Sequence, residues 1–321
     1  MKKIKIGIMG CAGYTGGELL RILLNHPHAE IEFVHSKSAA RKAVYEVHAD
    51  LYGETNLKFS ENFDKEVDVV FLCVGHGDAK ILLTESPQLL KNKVIDLSQD
   101  FRNESEGFVY GLPELNRERI AKTNKLANPG CFATAIQLAL LPLAQAGLLR
   151  YDDYISAITG STGAGQKPSD TTHFSWRNNN ISVYKAFTHQ HLKEIRQSLL
   201  QLQADFSQKM NFIPYRGNFT RGILASCYTS VDISLEEAKT LYHDFYKNAP
   251  FTHISEHEID VKQVMNTNKC LLHLEKHEDQ LLITSIIDNL TKGASGQAVQ
   301  NMNLMFDLDE KTGLNLKPAA F

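Results

Sequence analysis

The stretch Gly10-Cys-Ala-Gly13-Tyr-Thr-Gly16 lies between the apolar run Ile4-Lys-Ile-Gly-Ile-Met9 and the helical pattern Glu18-Leu-Leu-Arg-Ile-Leu-Leu24. A strand, a glycine turn and a helix in this order place backbone N–H groups and a helix N-terminus against a pyrophosphate. The spacing is Gly-x-x-Gly-x-x-Gly, whereas the commoner dinucleotide-binding spacing is Gly-x-Gly-x-x-Gly. We therefore predict a dinucleotide-binding unit here, and a plain tight turn between strand and helix is the alternative.

The residues after the second predicted strand, Ile31-Glu-Phe-Val-His35, bear on the choice of cofactor. In NAD-binding chains an acidic residue about 20 residues after the glycines binds the ribose 2′-hydroxyl. Ser36 occupies that place here, and the cations Lys37 and Arg41 follow it. Because cations suit a 2′-phosphate, we predict NADP(H) rather than NAD(H). A solvated basic loop is the alternative.

Two further runs extend the predicted sheet. Val67–Val74 is almost continuously apolar, as a buried parallel strand requires, and Gly75 ends it. The stretch Lys93–Arg102 runs from a strand into a polar loop that contains Ser98. Ligands of open α/β sheets bind outside the carboxyl ends of the strands, so Ser98 and Arg102 are candidate substrate or phosphate contacts. The alternation of strands and helices predicts a doubly wound parallel sheet of the Rossmann type.

Cys131 stands at a predicted helix start. Pro129 and Gly130 mark a loop, and the run from Ala135 to Leu143 is apolar on nearly every side, which predicts a buried helix from about Cys131. The positive end of a helix dipole stabilises a thiolate, which is a nucleophile. A small buried cysteine that only fills space is the alternative.

The stretch Thr188-His189-Gln-His191-Leu-Lys-Glu194 supplies two histidines and a carboxylate at or near a helix start. A cysteine nucleophile needs an acid–base partner with a pKa near 7, and histidine offers one without perturbation. The sequence leaves open whether His189 or His191 faces Cys131. A metal site made by the histidines and Glu194 is less favoured, because no further ligand stands at the usual spacing.

The second half of the chain has a different texture. A glycine-rich polar loop at residues 160–168 is too long for a simple hairpin and is typical of functional loops. Strands are predicted at 222–233 and 280–287 and helices at 193–202 and 235–246, which indicates an α+β domain with a largely antiparallel sheet. Arg216 and Arg221 can each bind a carboxylate or phosphate with two hydrogen bonds. A helix rich in small residues is predicted within 288–302.

Composition bounds the class of protein. A chain of 321 residues suggests two domains, and a formal net charge of -3 gives no basic excess for nucleic acid or anionic membranes. Five widely spaced cysteines without a Cys-x-x-Cys pair fit reduced thiols, so we expect a cytoplasmic protein without a metal site.

These stretches together resemble the N-acetyl-gamma-glutamyl-phosphate reductase family, the arginine-pathway branch of the aspartate-semialdehyde dehydrogenase superfamily. The stretches that match its motifs are the glycine turn at 10–16, Val94–Arg102, Tyr110–Glu114, Asn128–Cys131, Gly163–Gly165, His189–Ile195, Arg221–Gly222 and Asp288–Asn301. The resemblance implies that Cys131 attacks an acyl phosphate, that phosphate leaves, and that NADPH reduces the thioester to an aldehyde. It also implies a homodimer or homotetramer.

The resemblance further implies a division of the chain and a set of site residues. A nucleotide domain is expected at 1–130 and 291–321, with the C-terminal helix returning to it, and an α+β catalytic and dimerisation domain at 131–290. The catalytic residues are expected to be Cys131, His189 and His191, and the substrate contacts Ser98, Arg102, Asn128, Gln137, Glu194 and Arg221. The cofactor contacts are expected to be Gly10, Ala12, Gly13, Tyr14, Thr15, Gly16, Ser36, Lys37, Arg41, Gly75, Ser161, Gly163, Ala164 and Asn289, the last holding the nicotinamide carboxamide.

Departures from the family pattern bear on the acyl group. Phe132-Ala133 follows the cysteine where the family has Tyr-Pro, and Tyr215 with the added cation Arg216 stands where the family has histidine. An added cation suits a charged acyl group such as succinyl in place of acetyl. A Cys-His hydrolase, which needs no dinucleotide, and an NADP-binding redox sensor with a reactive Cys131 are the competing functions.

Overall fold

The polypeptide divides into two units, each with its own sheet. The structure, a computed structural model, describes residues 3–318. The first unit comprises the chain up to Pro129 together with Ala294–Asn315, and the second comprises Gly130–Gly293 and the chain from Leu316. We expected divisions after residues 130 and 290. Residues 316–318, which we expected in the first unit, group with the second, and the expected domain bounds remain predictions.

The elements of both units follow in chain order. The strands are β1 (Ile4–Met9), β2 (Ala29–His35), β3 (Val69–Leu72), β4 (Lys93–Asp96), β5 (Val109–Tyr110), β6 (Lys125–Ala127), β7 (Asp153–Thr159), β8 (Ser182–Val183), β9 (Met210–Arg216), β10 (Ile223–Ser230), β11 (Thr252–Ser255), β12 (Cys270–His277) and β13 (Gln280–Ile287). The helices are α1 (Tyr14–Leu23), α2 (Asp78–Glu85), α3 (Pro113–Lys122), α4 (Cys131–Gln145), α5 (Phe174–Arg177), α6 (His191–Leu202), α7 (Leu235–Tyr246) and α8 (Gly296–Met305).

The first unit is built on a parallel sheet with strand order β2-β1-β3-β4-β6-β5. The central strand β3 is buried along its whole length, which explains its continuous apolar sequence. The order of the strands reverses between β1 and β3, the point at which open α/β sheets bind ligands beyond their carboxyl ends. The glycine turn after β1 and Gly75 after β3 both lie at this edge.

The last helix of the first unit comes from the far end of the sequence. Helix α8 packs against α1 and α3, and the hydroxyl of Ser295 just before it donates a hydrogen bond to the carbonyl of Thr15 at 2.8 Å. The expected return of the C-terminal helix to the nucleotide-binding part is therefore confirmed. A π-helical turn, Thr291–Ser295, precedes α8.

The second unit has a mixed sheet with strand order β11-β12-β13-β10-β7-β9-β8. The pairs β11·β12 and β7·β9 are parallel and the other four pairs antiparallel. The expected fold class, a Rossmann-type parallel sheet plus an α+β domain with a largely antiparallel sheet, is confirmed. Helix α4 packs on β10 and β13 and against α6 and α7. Its residues Phe132–Ala144 are all buried, as the apolar run predicts.

Some strands of the second unit were not predicted. β9 contains Pro214, which lacks an N–H donor and so argues against a strand, but its neighbour β8 is a two-residue edge strand. β12 has His273 between buried Leu272 and Leu274 and ends in the polar residues Glu275, Lys276 and His277, so its apolar signal is weak. Between residues 3 and 318, no helix is both long enough and apolar enough to cross a membrane.

Candidate active site

Cys131 is the first residue of α4, as predicted, and its side chain is partly exposed. Gly130 before it has an extended backbone (φ -75°, ψ 152°) and no side chain with which to cap the helix. The N–H groups of the first turn and the positive end of the helix dipole therefore favour a negative charge at the Cys131 Sγ atom. This geometry makes the thiol a candidate nucleophile.

Glu194 ties the turn before Cys131 to the start of α6. Its Oε2 atom accepts a hydrogen bond from the backbone N–H of Gly130 at 3.0 Å, and its Oε1 atom lies 3.8 Å from Nε2 of His191. Both side chains are buried. The side-chain amide of Gln137 in α4 donates to the backbone carbonyl of Glu194 at 3.0 Å and to the hydroxyl of Ser198 at 2.9 Å. Glu194 and Gln137 thus hold α6 against α4, and their contacts with substrate remain predictions.

The structure brings the two histidines together beside the cysteine helix. The rings of His189 and His191 lie 4.5 Å apart, and both contact Phe132, the residue after Cys131. Nδ1 of His189 accepts a hydrogen bond from the backbone N–H of His191 at 3.3 Å, so a neutral His189 carries its proton on Nε2. Burial first, and then the charges of Lys185 and Arg216, lower the pKa of His189 to about 4. His189 is therefore neutral at pH 7.

Gly293 packs directly against the cysteine. A Cβ atom at this position would lie 2.8 Å from Cβ of Cys131 and 3.2 Å from the carbonyl oxygen of Asp288, which also accepts a hydrogen bond from the Gly293 N–H. Such contacts are too short for a side chain, so this glycine allows the turn that ends the second unit to approach Cys131.

Tyr184 and Arg216 also belong to this part of the second unit, and only Arg216 stood out in the sequence. The Tyr184 ring lies 5.8 Å from the His189 ring, measured between ring centres. Burial first, and then the charge of Cys131, raise the pKa of Tyr184 to about 12. The Arg216 guanidinium lies 4.6 Å from the centre of the Tyr184 ring. Tyr184 was missed because it lies in an irregular segment without periodicity, before the histidines.

Arg221 and Asn289 form a second cluster, in which each already has protein partners. Arg221 makes a two-pronged ion pair with the buried carboxylate of Asp288, at 2.9 and 3.0 Å. The Asn289 side chain accepts from the Gly222 N–H at 2.7 Å and donates to the hydroxyl of Thr162 at 3.0 Å. Thr162 lies in the short 3-10 turn Ser161–Ala164, in which Gly163 and Ala164 are exposed. The expected roles of Arg221, Ser161, Gly163, Ala164 and Asn289 remain predictions.

The glycine turn of the first unit fits a dinucleotide phosphate. Gly10 has φ +72°, and a Cβ there would lie 2.6 Å from the carbonyl oxygen of Cys73. A Cβ on Gly16 would lie 2.5 Å from the backbone of Cys11, so both positions exclude side chains. Gly13 precedes α1, and a Cβ on it would meet only the Gly10 carbonyl, at 3.9 Å. The Gly13 N–H donates to the Gly10 carbonyl at 3.4 Å. The N–H groups of the first turn of α1, which have no carbonyl partner within the helix, are the candidates to bind an anion at the helix start.

The residues after β2 are mixed in character. Ser36 is buried, and its hydroxyl accepts a hydrogen bond from the N–H of Ala39 at 3.3 Å. Lys37 is exposed, and Arg41 lies 3.4 Å from the Glu61 carboxylate with most of its side chain in solvent. This pairing is too exposed to neutralise Arg41 strongly. Lys37 and Arg41 therefore remain cations in solvent, and this favours binding of a 2′-phosphate.

The carboxylates of Asp96 and Asp100 hold the loop after β4 in place. Asp96 accepts hydrogen bonds from the N–H and the hydroxyl of Ser98, and Asp100 accepts from the N–H groups of Gly77, Ala79 and Lys80 at the start of α2. Burial is the main cause that raises the pKa of Asp96, to about 6. A ligand anion at the start of α2 would compete with the Asp100 carboxylate.

Arg102 and Asn128 contribute to the packing of the first unit. Nε of Arg102 donates to the backbone carbonyl of Asn128 at 2.9 Å, and both residues are buried. The Asn128 amide donates to the carbonyl of Ala294 at 3.0 Å and accepts from the amide of Asn301 at 3.1 Å. Their substrate contacts, like that of Ser98, remain predictions.

Metal ligation by His189, His191 and Glu194 is not indicated. Within residues 3–318, no three or more histidine, cysteine, aspartate or glutamate side chains are grouped so that they could hold a metal ion. Glu194 instead binds the Gly130 N–H described above.

Comparison with known families matches both units. Residues 5–123 match the family described as "Semialdehyde dehydrogenase, NAD binding domain", and residues 131–289 match "Semialdehyde dehydrogenase, dimerisation domain". The chain is 58% identical over 320 residues to an N-acetyl-gamma-glutamyl-phosphate reductase of Christiangramia forsetii, covering 99% of this chain and 100% of that one. It is 56% identical over 321 residues to a protein of the same name from Parabacteroides distasonis, with the same coverage.

Solved structures resemble the fold at much lower sequence identity. Aspartate semialdehyde dehydrogenase II from Vibrio cholerae superposes with a TM-score of 0.76 at 17% identity, covering 95% of this chain and 99% of that one. Aspartate semialdehyde dehydrogenase with NADP from Candida albicans gives a TM-score of 0.71 at 14% identity, with coverage of 95% and 99%.

Proposed function

The chain belongs to the N-acetyl-gamma-glutamyl-phosphate reductase family of the semialdehyde dehydrogenases, and we propose that it reduces an N-acyl-gamma-glutamyl phosphate to the semialdehyde with release of phosphate, a step of arginine biosynthesis. The observation that carries the proposal is Cys131, which stands partly exposed at the start of α4. Two histidines contact the residue after it, and Glu194 lies beside His191 and binds the Gly130 N–H. This arrangement suits a thiolate that attacks an acyl carbon.

The first chemical step is acyl transfer to Cys131. The Sγ–C bond forms, the C–O bond to phosphate breaks, and phosphate leaves as an anion. The N-terminus of α4 lowers the energy of the attacking thiolate, and its N–H groups can also stabilise the oxyanion that develops on the acyl oxygen. Gly293 allows this turn to pack closely without a side chain against the sulfur.

Proton transfer is assigned to His191, with His189 as its positioning residue. His191 lies 3.8 Å from the Glu194 carboxylate, which balances the charge that the imidazole acquires when it takes the thiol proton. The same proton can then be donated to the oxygen of the reduced intermediate. His189 is neutral at pH 7 and accepts a hydrogen bond from the backbone N–H of His191. This bond holds the backbone that carries the His191 imidazole.

NADPH, when bound, supplies the hydride that converts the thioester to the aldehyde. The glycine turn and the start of α1 are the groups that hold its pyrophosphate, and Ser36, Lys37 and Arg41 are those that receive the 2′-phosphate. A replacement of Lys37 and Arg41 by glutamine should therefore raise the KM for NADPH and leave that for NADH nearly unchanged.

We propose further that the chain is a cytoplasmic homo-oligomer, a homodimer or homotetramer. All five cysteines are free thiols, which fits the reducing cytoplasm. On the second sheet, Tyr154 of β7 and Tyr228 of β10 stack with their ring centres 5.2 Å apart, and both are about two-fifths exposed although they are large and apolar. Helices cover the opposite face. Charged replacements of both tyrosines should reduce the molecular mass measured by sedimentation.

The reverse reaction gives the decisive test. With the acyl-glutamate semialdehyde, NADP⁺ and phosphate, the protein should form NADPH, and the rate should depend on phosphate. A hydrolase forms no NADPH, and a redox sensor forms none that depends on phosphate. Either result would reject the reductase assignment.

A further inference from the structure

Three cations of the second unit lie in, contact or closely follow the paired strands β8 and β9 and have no carboxylate partner within residues 3–318. Arg177, Lys185 and Arg216 make no ion pair within residues 3–318. Arg177 is buried and donates to the backbone carbonyls of Arg216, Thr171 and Asn180. Lys185 donates to the side-chain carbonyl of Gln190 at 3.1 Å. None of these acceptors carries a charge.

The cations are close enough to affect one another. Burial first, and then the charge of Arg216, lower the pKa of Arg177. Lys185 and Arg216 both contribute to the lowered pKa of His189. Lys185 is exposed, so solvent screens its charge, but Arg177 is buried and Arg216 is half-buried. Repulsion between these two guanidinium groups raises the energy of the protein when no anion is bound. An anionic ligand removes this cost.

Arg216 is the member best placed to receive that anion. Its guanidinium lies over the Tyr184 ring, which holds the planar group in one orientation. Its Nε atom is buried and has no hydrogen-bond partner within residues 3–318. A donor in this state is expected to be satisfied by a ligand, since an unpaired buried donor costs about 1–3 kcal/mol.

The position of Arg216 relative to the reacting sulfur indicates which end of a substrate it meets. Arg216 lies over the Tyr184 ring, whose centre is 5.8 Å from that of His189, and the His189 ring contacts Phe132, the residue after Cys131. Two rings therefore separate the guanidinium from the neighbour of the thiol. The leaving phosphate is attached to the carbon that Cys131 attacks, so it lies closer to the sulfur than this. Arg221, the other arginine of this stretch, is already neutralised by Asp288.

We propose that Arg216 is a specificity-determining residue that binds a carboxylate at the end of the substrate's N-acyl group, so that the enzyme prefers an N-succinyl type of substrate over an N-acetyl one. The proposal rests on the reductase function above and names its substrate class. All such substrates carry an α-carboxylate, and an N-succinyl group adds a second one. This second carboxylate would give Arg177, Lys185 and Arg216 the negatively charged partner that the protein does not supply. A guanidinium binds a carboxylate through two parallel hydrogen bonds.

The test is a comparison of three semialdehydes in the reverse assay with NADP⁺ and phosphate. N-succinyl-, N-butyryl- and N-acetyl-glutamate semialdehyde separate charge from size, because butyryl matches succinyl in chain length but is neutral. We expect kcat/KM to be roughly 10²-fold higher for the succinyl compound than for either neutral one, the scale of a lost charged hydrogen bond. In R216Q this ratio should fall to within a few-fold of one.

Controls distinguish the specificity proposal from the function itself. Arg150→Gln removes an exposed arginine of the second unit that donates only to the Gly147 carbonyl, and should leave the ratio unchanged. Thermal unfolding of R216Q checks that the fold is retained. If no semialdehyde is oxidised, the reductase function fails.

Other results overturn only the role of Arg216. Equal or better use of the acetyl compound by the wild type would do so. An equal loss of kcat/KM for all three compounds in R216Q would also contradict this role, and so would a rise in the KM for phosphate that is the same with each compound. The former assigns Arg216 to the α-carboxylate, and the latter assigns it to the phosphate.

Discussion

Glu194 accepts a hydrogen bond from the backbone N–H of Gly130, one residue before the nucleophile, although the two are 64 residues apart in sequence. The same carboxylate lies 3.8 Å from the His191 imidazole. One side chain therefore fixes the start of the cysteine helix and the charge beside the acid–base ring, and the two duties can be separated by substitution.

Glu194→Gln keeps an acceptor for the Gly130 N–H but removes the charge. We expect kcat/KM to fall by roughly 10- to 100-fold, and the limb of the pH–rate profile that reports the imidazole to move to lower pH, since the protonated ring loses its partner. Glu194→Ala should cost more, because it also removes the acceptor. Profiles of unchanged shape in both variants would contradict the link to His191.

Cys131→Ser should abolish turnover while cofactor binding remains. Loss of a covalent nucleophile typically costs several orders of magnitude in kcat, whereas NADPH contacts in the first unit are untouched. Fluorescence titration with NADPH and a turnover assay measure the two separately. Cys270→Ser, in β12, serves as the matched thiol control and should stay active. Retained activity in Cys131→Ser would move the chemistry to another residue.

The two histidines should differ in their effects. His191→Asn should lower kcat by roughly 10²–10⁴-fold, the range for removal of a general acid–base group. His189→Asn retains a side chain that can accept the His191 N–H, so its loss should be about 10-fold. Steady-state kinetics of both variants decide the assignment. A larger loss for His189→Asn reverses it.

Asp153 should make the protein less stable as the pH rises. Its carboxyl is completely buried, neither oxygen has a hydrogen-bond partner within residues 3–318, and burial is the main cause that raises its pKa to about 7. The unfolded chain releases this proton near pH 4 and the folded chain near pH 7. The contribution of Asp153 to the free energy of unfolding is therefore fully present below pH 4. On the order of 3–4 kcal/mol of this stability is lost as the pH rises to about 7.

Asp153→Asn isolates this contribution. The free energy of unfolding of this variant minus that of the wild type, measured by urea denaturation, should be larger at pH 8 than at pH 5 by a few kcal/mol, a larger value meaning a more stable variant. Asp205→Asn, at an exposed position, is the control and should show no such change. A difference between wild type and Asp153→Asn that does not vary with pH would show that Asp153 is ionised in the folded protein throughout.

Local pattern explains which features were predictable. The β1–glycine turn–α1 unit and the helix from Cys131 follow from neighbouring residues, and both are found. Partners that are distant in sequence left no such signal. The ion pair of Arg221 joins residues 67 positions apart, and Arg216 pairs in register with Thr159 and Ser182 on two other strands. The sequence therefore showed that Arg221 can bind a carboxylate with two hydrogen bonds, but not that Asp288 supplies that carboxylate.

The place of α8 in the first unit has a consequence for how the chain is made. The strands of that unit have all been synthesised by Ala127, but the helix that covers α1 and α3 begins only at Gly296. At about 5–20 residues per second, the ribosome needs on the order of ten to thirty seconds to reach it. During this interval the nascent first unit exposes the apolar surface that α8 later covers, so a chaperone that binds apolar surfaces has its best opportunity there.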